Sequence, residues 1–285
     1  MTLLQLLLIA VVQGISEFLP ISSSGHLILI PYLTDWPDQG PQIDVAVHVG
    51  SLLAIIVYFF KDVVVLARGG FASIGIGASN ANAPAERRLF WWIVLGTIPA
   101  VMFGLSIKMG VFNGVAQSWF GITVVDDDLM SSIRFTDLIA VNLIMYGLLL
   151  GLADWLGKEV KSFEDMSWKD GLIVGLAQAL AIIPGTSRSG VTMTAARALG
   201  YKRVEAARFS FLLSIPAVAG AGVLIVPEIL EAGAGLALDA LIAGVLTFIS
   251  AFATMAFLMK FLQRASMMVF VVYRVALGVA LLWAF

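Results

Sequence analysis

Polar side chains interrupt an apolar N-terminal stretch between Gln13 and His26, where the sequence reads Q-G-I-S-E-F-L-P-I-S-S-S-G-H. The flanking residues are almost wholly apolar, which predicts that a carboxylate, an imidazole and three serine hydroxyls lie at membrane depth. Such groups are costly there unless they line a wet cavity and have partners. We therefore interpret Glu17, Ser23 and His26 as candidate catalytic residues, with the acid and the imidazole available for proton transfer.

A second polar interruption reads P-G-T-S-R-S-G-V-T between Pro184 and Thr192. Arg188 stays charged at any accessible pH and presents a fork of donors that matches phosphate or carboxylate. The neighbouring hydroxyls belong to Ser187, Ser189 and Thr192. This stretch therefore predicts an oxyanion-binding site at membrane depth.

The composition places these residues in a membrane protein. Hydrophobic residues make up 60% of the chain and charged residues 13%, against about 45–50% and about 25% in soluble domains. The chain has no cysteine, which excludes disulfides and thiolate metal sites, and no basic tail or stripe that would indicate a nucleic-acid partner. The first residues lack the basic start of a cleaved signal peptide.

Six apolar stretches are long enough to cross a bilayer, at about 44–60, 90–107, 138–155, 208–226, 239–259 and 266–285. Two further stretches, 3–33 and 171–199, are each broken near the centre by a Pro/Ser/Gly cluster. Because each break leaves two half-helices too short to span, we expect two re-entrant helical hairpins.

The two breaks resemble one another. When Gln13 is aligned with Gln178, a serine stands three residues after each proline, which pairs Ser23 with Ser187 and suggests duplication at a period near 164 residues. Each half then contains one hairpin and three spans, and an odd number of crossings inverts the second half relative to the first.

The predicted fold is thus an all-α polytopic membrane protein with an inverted-topology repeat. It forms a single membrane domain over residues 1–285, with repeat one at about 1–155 and repeat two at about 165–285.

Basic residues set the expected orientation. They concentrate in the 61–88 loop and in the segments 156–170, 197–208 and 260–264, whereas the opposite segments hold only Lys108 and Arg134. The positive-inside rule then places both termini outside and opens the site to the outer side. Arg274 falls at membrane depth, where we expect it to pair with an internal carbonyl or carboxylate.

Taken together, the motifs resemble those of the undecaprenyl pyrophosphate phosphatase family, the bacitracin-resistance type of integral membrane phosphatase. The resemblance covers essentially the full length and includes D-V-A-V-H-V-G-S-L-L-A at 44–54 besides the two breaks. It implies hydrolysis of undecaprenyl (polyprenyl) diphosphate to the monophosphate carrier used in cell-wall synthesis. It also implies a multi-pass protein of the bacterial inner (plasma) membrane, in contact with lipid substrate and membrane lipids.

The resemblance also assigns roles to single residues. The family's E/Q-x-x-x-E motif maps onto Gln13 and Glu17, its serine and histidine onto Ser23 and His26, and its phosphate-binding arginine onto Arg188. A divalent cation, Mg²⁺ or Ca²⁺, is expected on Glu17, the Gln13 amide oxygen and the substrate phosphates. The hydroxyls expected to bind substrate beside Arg188 are those of Ser22, Ser187, Ser189 and Thr192.

Two mechanisms stay open at this point. In one, Ser23 attacks phosphorus after His26 takes its proton; in the other, His26 and Glu17 activate a metal-bound water. His48, in the first span, is either a packed histidine or a neighbour of the site.

The rival function is a secondary transporter or lipid flippase, because inverted repeats with broken helices are a transporter architecture. Small residues at 151–154 and 217–222 allow close helix packing and are compatible with a homodimer.

Overall fold

The computed structural model describes residues 1–34, 36–77, 79, 82–124, 129–231 and 233–284, and their regular elements are all helical. The α-helices of these residues are α1 Leu3–Ser16, α2 Ser23–Thr34, α3 Gly40–Tyr58, α4 Phe60–Ser73, α5 Ala83–Lys108, α6 Asn113–Phe120, α7 Leu129–Ser132, α8 Thr136–Leu156, α9 Trp168–Ala179, α10 Arg188–Ala198, α11 Arg203–Glu231, α12 Ala234–Phe261 and α13 Met268–Ala284. Short 3-10 turns lie at Phe163–Asp165 and Leu180–Ile182. The predicted all-α class is confirmed.

Five helices of the described residues are long and apolar enough to cross a bilayer, namely α3, α5, α8, α12 and the Arg203–Val223 part of α11. They correspond to five of the six predicted spans. The sixth prediction, 266–285, coincides with α13, which has 17 residues and so stands at the short end of the roughly 17–25 that a span needs. Its last predicted residue, Phe285, lies outside the described residues. The helices are those of a polytopic membrane protein.

The segment predicted as a loop at 61–88 is partly helical, so that prediction is wrong for its first half. Helix α4 begins at Phe60, directly after α3 ends, and packs along α5. A Cβ on Gly69 would collide with the backbone carbonyl of Glu86, so this glycine allows the close approach. Lys61 and Arg68, which were counted as cytoplasmic charges, are exposed on this helix, and α5 packs against it.

Both polar breaks contain a serine in the left-handed region of backbone space. Ser22 has φ 77° and Ser187 has φ 71°, a conformation that is strained for a residue with a side chain. Each serine then caps the helix that follows: Ser22 Oγ accepts from the Gly25 N–H at 3.3 Å and Ser187 Oγ from the Gly190 N–H at 3.1 Å. The caps satisfy amides that a helix start would otherwise leave unpaired.

This geometry corrects the predicted alignment of the two breaks. Ser22 and Ser187 are the matching residues, not Ser23 and Ser187, because they share the conformation and the cap. Both this pair and the pair Gln13 and Gln178 are separated by 165 positions. Ser23 therefore corresponds to Arg188, and each is the first residue of its helix. An alignment on the prolines gives the wrong pair, because Pro20 and Pro184 are separated by one position fewer than Ser22 and Ser187.

The helices around the breaks pack in matching pairs. Helix α1 packs on α12 and helix α9 on α5, while α3 contacts both α11 and α12, and α8 packs along α13. Glycines allow the first two contacts: a Cβ on Gly14 would collide with Ser250, and one on Gly175 with the backbone of Gly96. These close contacts hold the two broken segments against long helices.

Arg274 of α13 joins the two breaks. Its fully buried guanidinium donates to the carbonyl oxygen of Pro20 at 3.1 Å, and to those of Gly185 at 3.0 Å and Thr186 at 2.9 Å. Asn142 of α8 adds a bond to the Pro184 carbonyl oxygen at 2.8 Å. The predicted pairing of Arg274 with internal carbonyls is confirmed, and it ties both turns to one side chain.

Candidate active site

The carboxylate of Glu17 lies where the two breaks meet. Helix α1 ends at Ser16, and Glu17 follows as its C-cap residue with 5% of its surface exposed. One oxygen, Oε2, accepts from Ser23 Oγ at 2.6 Å and from Gln13 Nε2 at 3.1 Å. The other, Oε1, accepts from the guanidinium of Arg188. A buried carboxylate is tolerable only with such partners.

Two of the donors, Ser23 and Arg188, reach Glu17 because of how their helices start. Ser23 and Arg188 are the first residues of α2 and α10, immediately after the two strained serines. Because the chain turns back at each break, both helices start beside the end of α1. The result is a serine hydroxyl and a guanidinium on opposite oxygens of one carboxylate.

A cavity of about 470 Å³ opens at this point and has two kinds of wall. The polar wall contains Glu17, Ser23, Ser24, His48, Gln178, Ser187 and Arg188. The other wall consists mainly of small apolar residues of α5 and α11, among them Ala100, Gly104, Ala217 and Ala221. Such a cavity suits an amphiphile with an anionic head and an apolar chain.

The imidazole of His26 points away from Ser23. Its Nδ1 lies 2.7 Å from the backbone oxygen of Ser22, and its Nε2 lies 2.6 Å from the hydroxyl of Tyr273 on α13. The two rings are stacked, with centroids 5.7 Å apart. Both ring nitrogens thus have partners other than Ser23, and the side chain that accepts from Ser23 is Glu17 and not His26, which was predicted to take its proton.

The predicted substrate hydroxyls divide into two groups. Ser187 lines the cavity beside Arg188. Ser189 donates to the Leu19 carbonyl oxygen at 3.2 Å, Thr192 contacts Ser210 Oγ at 2.6 Å, and Ser22 is fully buried as a helix cap. Ser189 and Thr192 thus make contacts between elements, Ser22 caps its own helix, and none of the three lines the cavity.

His48 reaches the cavity from α3. Its Nδ1 lies 2.6 Å from the backbone oxygen of Asp44, and its Nε2 lies 3.6 Å from Glu17 Oε2. A smaller cavity of about 220 Å³, lined by Asp44 and Arg134 among others, shares His48 and Ser24 with the first. His48 is therefore a neighbour of the site, which was one of its two interpretations.

Comparison with protein-family models gives a match to "Bacitracin resistance protein BacA" over residues 6–280. The chain belongs to the BacA family.

Curated relatives match the chain along nearly its whole length. A protein of Erythrobacter litoralis (strain HTCC2594) named "Undecaprenyl-diphosphatase" is 83% identical over 282 residues, which is 99% of each chain. "Undecaprenyl-diphosphatase 1" of Pseudoalteromonas translucida is 42% identical, covering 99% of this chain and 98% of its own. A relative named "Undecaprenyl-diphosphatase" in Colwellia psychrerythraea is also 42% identical, over 99% of both chains.

Within this BacA-family site, the sequence placed Gln13, Glu17, Ser23 and Arg188 correctly together but missed Ser24 and Gln178. Ser24 was visible as a neighbour of Ser23. Gln178 was visible as the counterpart of Gln13 in the aligned breaks, but its place on the cavity wall could be found only from the structure.

Proposed function

We propose that the chain hydrolyses undecaprenyl diphosphate, a polyprenyl diphosphate, to the lipid monophosphate and inorganic phosphate. The observation that carries the proposal is the contact of Ser23 and Arg188 with opposite oxygens of Glu17. The cavity supports it, since the polar wall fits a diphosphate and the apolar wall fits an isoprenoid chain. The names of the relatives give the same substrate.

The geometry favours a serine nucleophile over a metal-bound water, but with Glu17 in place of His26 as the group that takes the proton of Ser23, because Ser23 donates to Glu17 and both ring nitrogens of His26 have other partners. Ser23 Oγ attacks the terminal phosphorus while Glu17 Oε2, 2.6 Å away, takes its proton. The bond from that phosphorus to the bridging oxygen breaks, the lipid monophosphate leaves, and the phosphoryl group remains on Ser23. Water then attacks the phosphorus of this phosphoserine, and the bond from phosphorus to Ser23 Oγ breaks, which releases inorganic phosphate. Glu17 returns its proton to Ser23 Oγ, and the proton lost by the water passes to solvent. The guanidinium of Arg188 stabilises the negative charge on the phosphoryl oxygens.

The donor atoms fit a divalent cation that is shared with the substrate. Gln13 Oε1 is buried and has no hydrogen-bond partner among the described residues, while Nε2 of the same amide lies 3.1 Å from Glu17 Oε2, so we propose that this free oxygen is the ligand that Gln13 offers to a cation. The described residues contain no group of three or more His, Cys, Asp or Glu side chains for an all-protein cage. Mg²⁺ or Ca²⁺ held by Glu17, Gln13 and the substrate phosphates would neutralise phosphate charge.

The proposed architecture is an inverted repeat, with one re-entrant hairpin and three transmembrane helices in each half. Two observations support it. The breaks share a strained serine and a cap at a constant separation. The packing of α1 on α12 is mirrored by that of α9 on α5, as expected when the halves exchange places. Repeat one covers about 1–155 and repeat two about 165–285 of a single domain.

We place the protein in the bacterial inner membrane with the site opening to the outer side, because basic residues concentrate in the segments assigned to the cytoplasm.

A homodimer stays a prediction. The small residues that suggested it are used inside the chain: Gly151 faces Val271, while Ala217 and Ala221 line the cavity.

The decisive experiment is the release of inorganic phosphate from a polyprenyl diphosphate by the purified protein in detergent. No transmembrane gradient exists there, so a transporter or flippase would release none, whereas the proposed enzyme turns over. The absence of release at every divalent cation concentration would overturn the proposal.

A further inference from the structure

Gln178 is a buried amide on the wall of the cavity. It lies near the end of α9, has 2% of its surface exposed, and lines the cavity together with Glu17 and Arg188. Among the described residues neither its amide nitrogen nor its amide oxygen has a hydrogen-bond partner. Buried side-chain amides are nearly always bonded, so an unbonded one on a cavity wall calls for a partner outside the chain.

Comparison of the two breaks shows why Gln178 has no partner. Gln13, its counterpart, donates to the carboxylate of Glu17 four residues later, at 3.1 Å. The residue four positions after Gln178 is Ile182, which also lines the cavity. The second break therefore keeps the glutamine but lacks the carboxylate that would accept from it.

This difference makes the two breaks chemically complementary. The first supplies Ser23 and Glu17, a nucleophile and a proton acceptor. The second supplies Arg188 and Gln178, which carry donors and no negative charge. A carboxylate at position 182 would repel a diphosphate at close range, whereas an isoleucine leaves the amide of Gln178 as a neutral donor beside a cation.

We propose that Gln178 is a substrate-binding residue, whose amide N–H groups donate to phosphoryl oxygens of the diphosphate. The inference rests on the proposed function and adds a second phosphate contact to Arg188. The guanidinium of Arg188 already donates to Glu17. A separate donor on Gln178 allows the site to bind the substrate while Arg188 keeps its hydrogen bond to Glu17.

Substitutions that remove the amide of Gln178 distinguish a role in substrate binding from a role in folding. Gln178→Leu replaces an unbonded polar group with an apolar one, so the melting temperature in detergent should stay level or rise, while kcat/KM should fall tenfold or more. Gln178→Met, which is unbranched, should give the same pattern if leucine does not fit. The matched control is Thr247→Val, since the Thr247 hydroxyl is also buried and unbonded among the described residues but lies outside the cavity. This control should keep full activity.

Binding can be read without turnover by using inorganic pyrophosphate as the probe. Pyrophosphate should raise the melting temperature of the wild-type protein and of Thr247→Val, and should raise that of Gln178→Leu much less. Wild-type kcat/KM in both Gln178 variants would overturn the inference and leave the proposed function intact. A lower melting temperature together with lost activity would assign Gln178 to folding and overturn it too. An inactive wild-type protein would instead refute the proposed function.

Discussion

At the scale of single residues, the two oxygens of Glu17 have different partners and therefore different tasks. Oε2 faces the hydroxyl of Ser23, and Oε1 faces the guanidinium of Arg188. The carboxylate thus holds the hydroxyl proposed as nucleophile and the cation proposed to bind phosphate at the same time. Removal of the Glu17 carboxylate should free both side chains, whereas removal of Ser23 or of Arg188 should abolish only the contact that this residue makes.

Ser23→Ala removes the nucleophile and should lower turnover by roughly three decades or more, the level typical of removed nucleophiles. Glu17→Gln should lower it comparably, and the double variant should be scarcely worse, because residues that act as a unit are not additive. Steady-state phosphate release from the three variants measures this. A fully additive double variant would show that Ser23 and Glu17 act in separate steps.

Arg188→Lys keeps the positive charge but loses the planar fork, and it should lower kcat/KM by about tenfold or more, since a charged hydrogen bond contributes roughly 1.5–3 kcal/mol. Arg264→Lys, at an exposed position, is the matched control and should have the wild-type rate. Equal kinetics of both variants would mean that charge alone suffices at position 188.

The sequence revealed Glu17, Ser23 and Arg188 because a polar residue in an apolar stretch is conspicuous by itself. It did not reveal the direction of His26, since the partner of that imidazole, Tyr273, comes from the last helix. It also paired Ser23 with Ser187, since a positive φ cannot be read from residue types. A sequence pattern shows neither the contacts between residues that are distant in the chain nor the backbone conformation.

At the scale of elements, the site depends on helices that contribute no catalytic group. Helices α8 and α13 position both breaks through Asn142 and Arg274. The breaks themselves and five spans were predictable from composition and Pro/Gly spacing. Helix α4 was not predictable in this way, because the element that covers its apolar side, α5, is known only from the structure.

Arg274→Lys tests this dependence. A single ammonium group cannot reach carbonyls of both breaks, so buried oxygens lose their donors, and the melting temperature and turnover should fall together. Thermal unfolding and phosphate release of the purified variant provide the measurement, with Arg264→Lys again as the control. Reduced stability with full activity would show that the breaks hold their shape without Arg274.

At the scale of the whole molecule, orientation can be tested directly because the chain has no cysteine. Gly75→Cys lies in the segment assigned to the cytoplasm, and Gly235→Cys lies near the opposite face. An impermeant thiol reagent applied to intact cells should label position 235 and spare position 75. The reverse pattern would invert the assigned orientation.

The bridge made by Arg274 also sets an order of assembly during synthesis. Both breaks leave the ribosome before α13 does, since α13 follows them in the chain. Until α13 has been inserted, the carbonyls of Pro20, Gly185 and Thr186 lack their common donor. The polar side chains of both breaks are thus synthesised before the residue that joins the two turns, and the turns can adopt their final arrangement only after α13 has joined them.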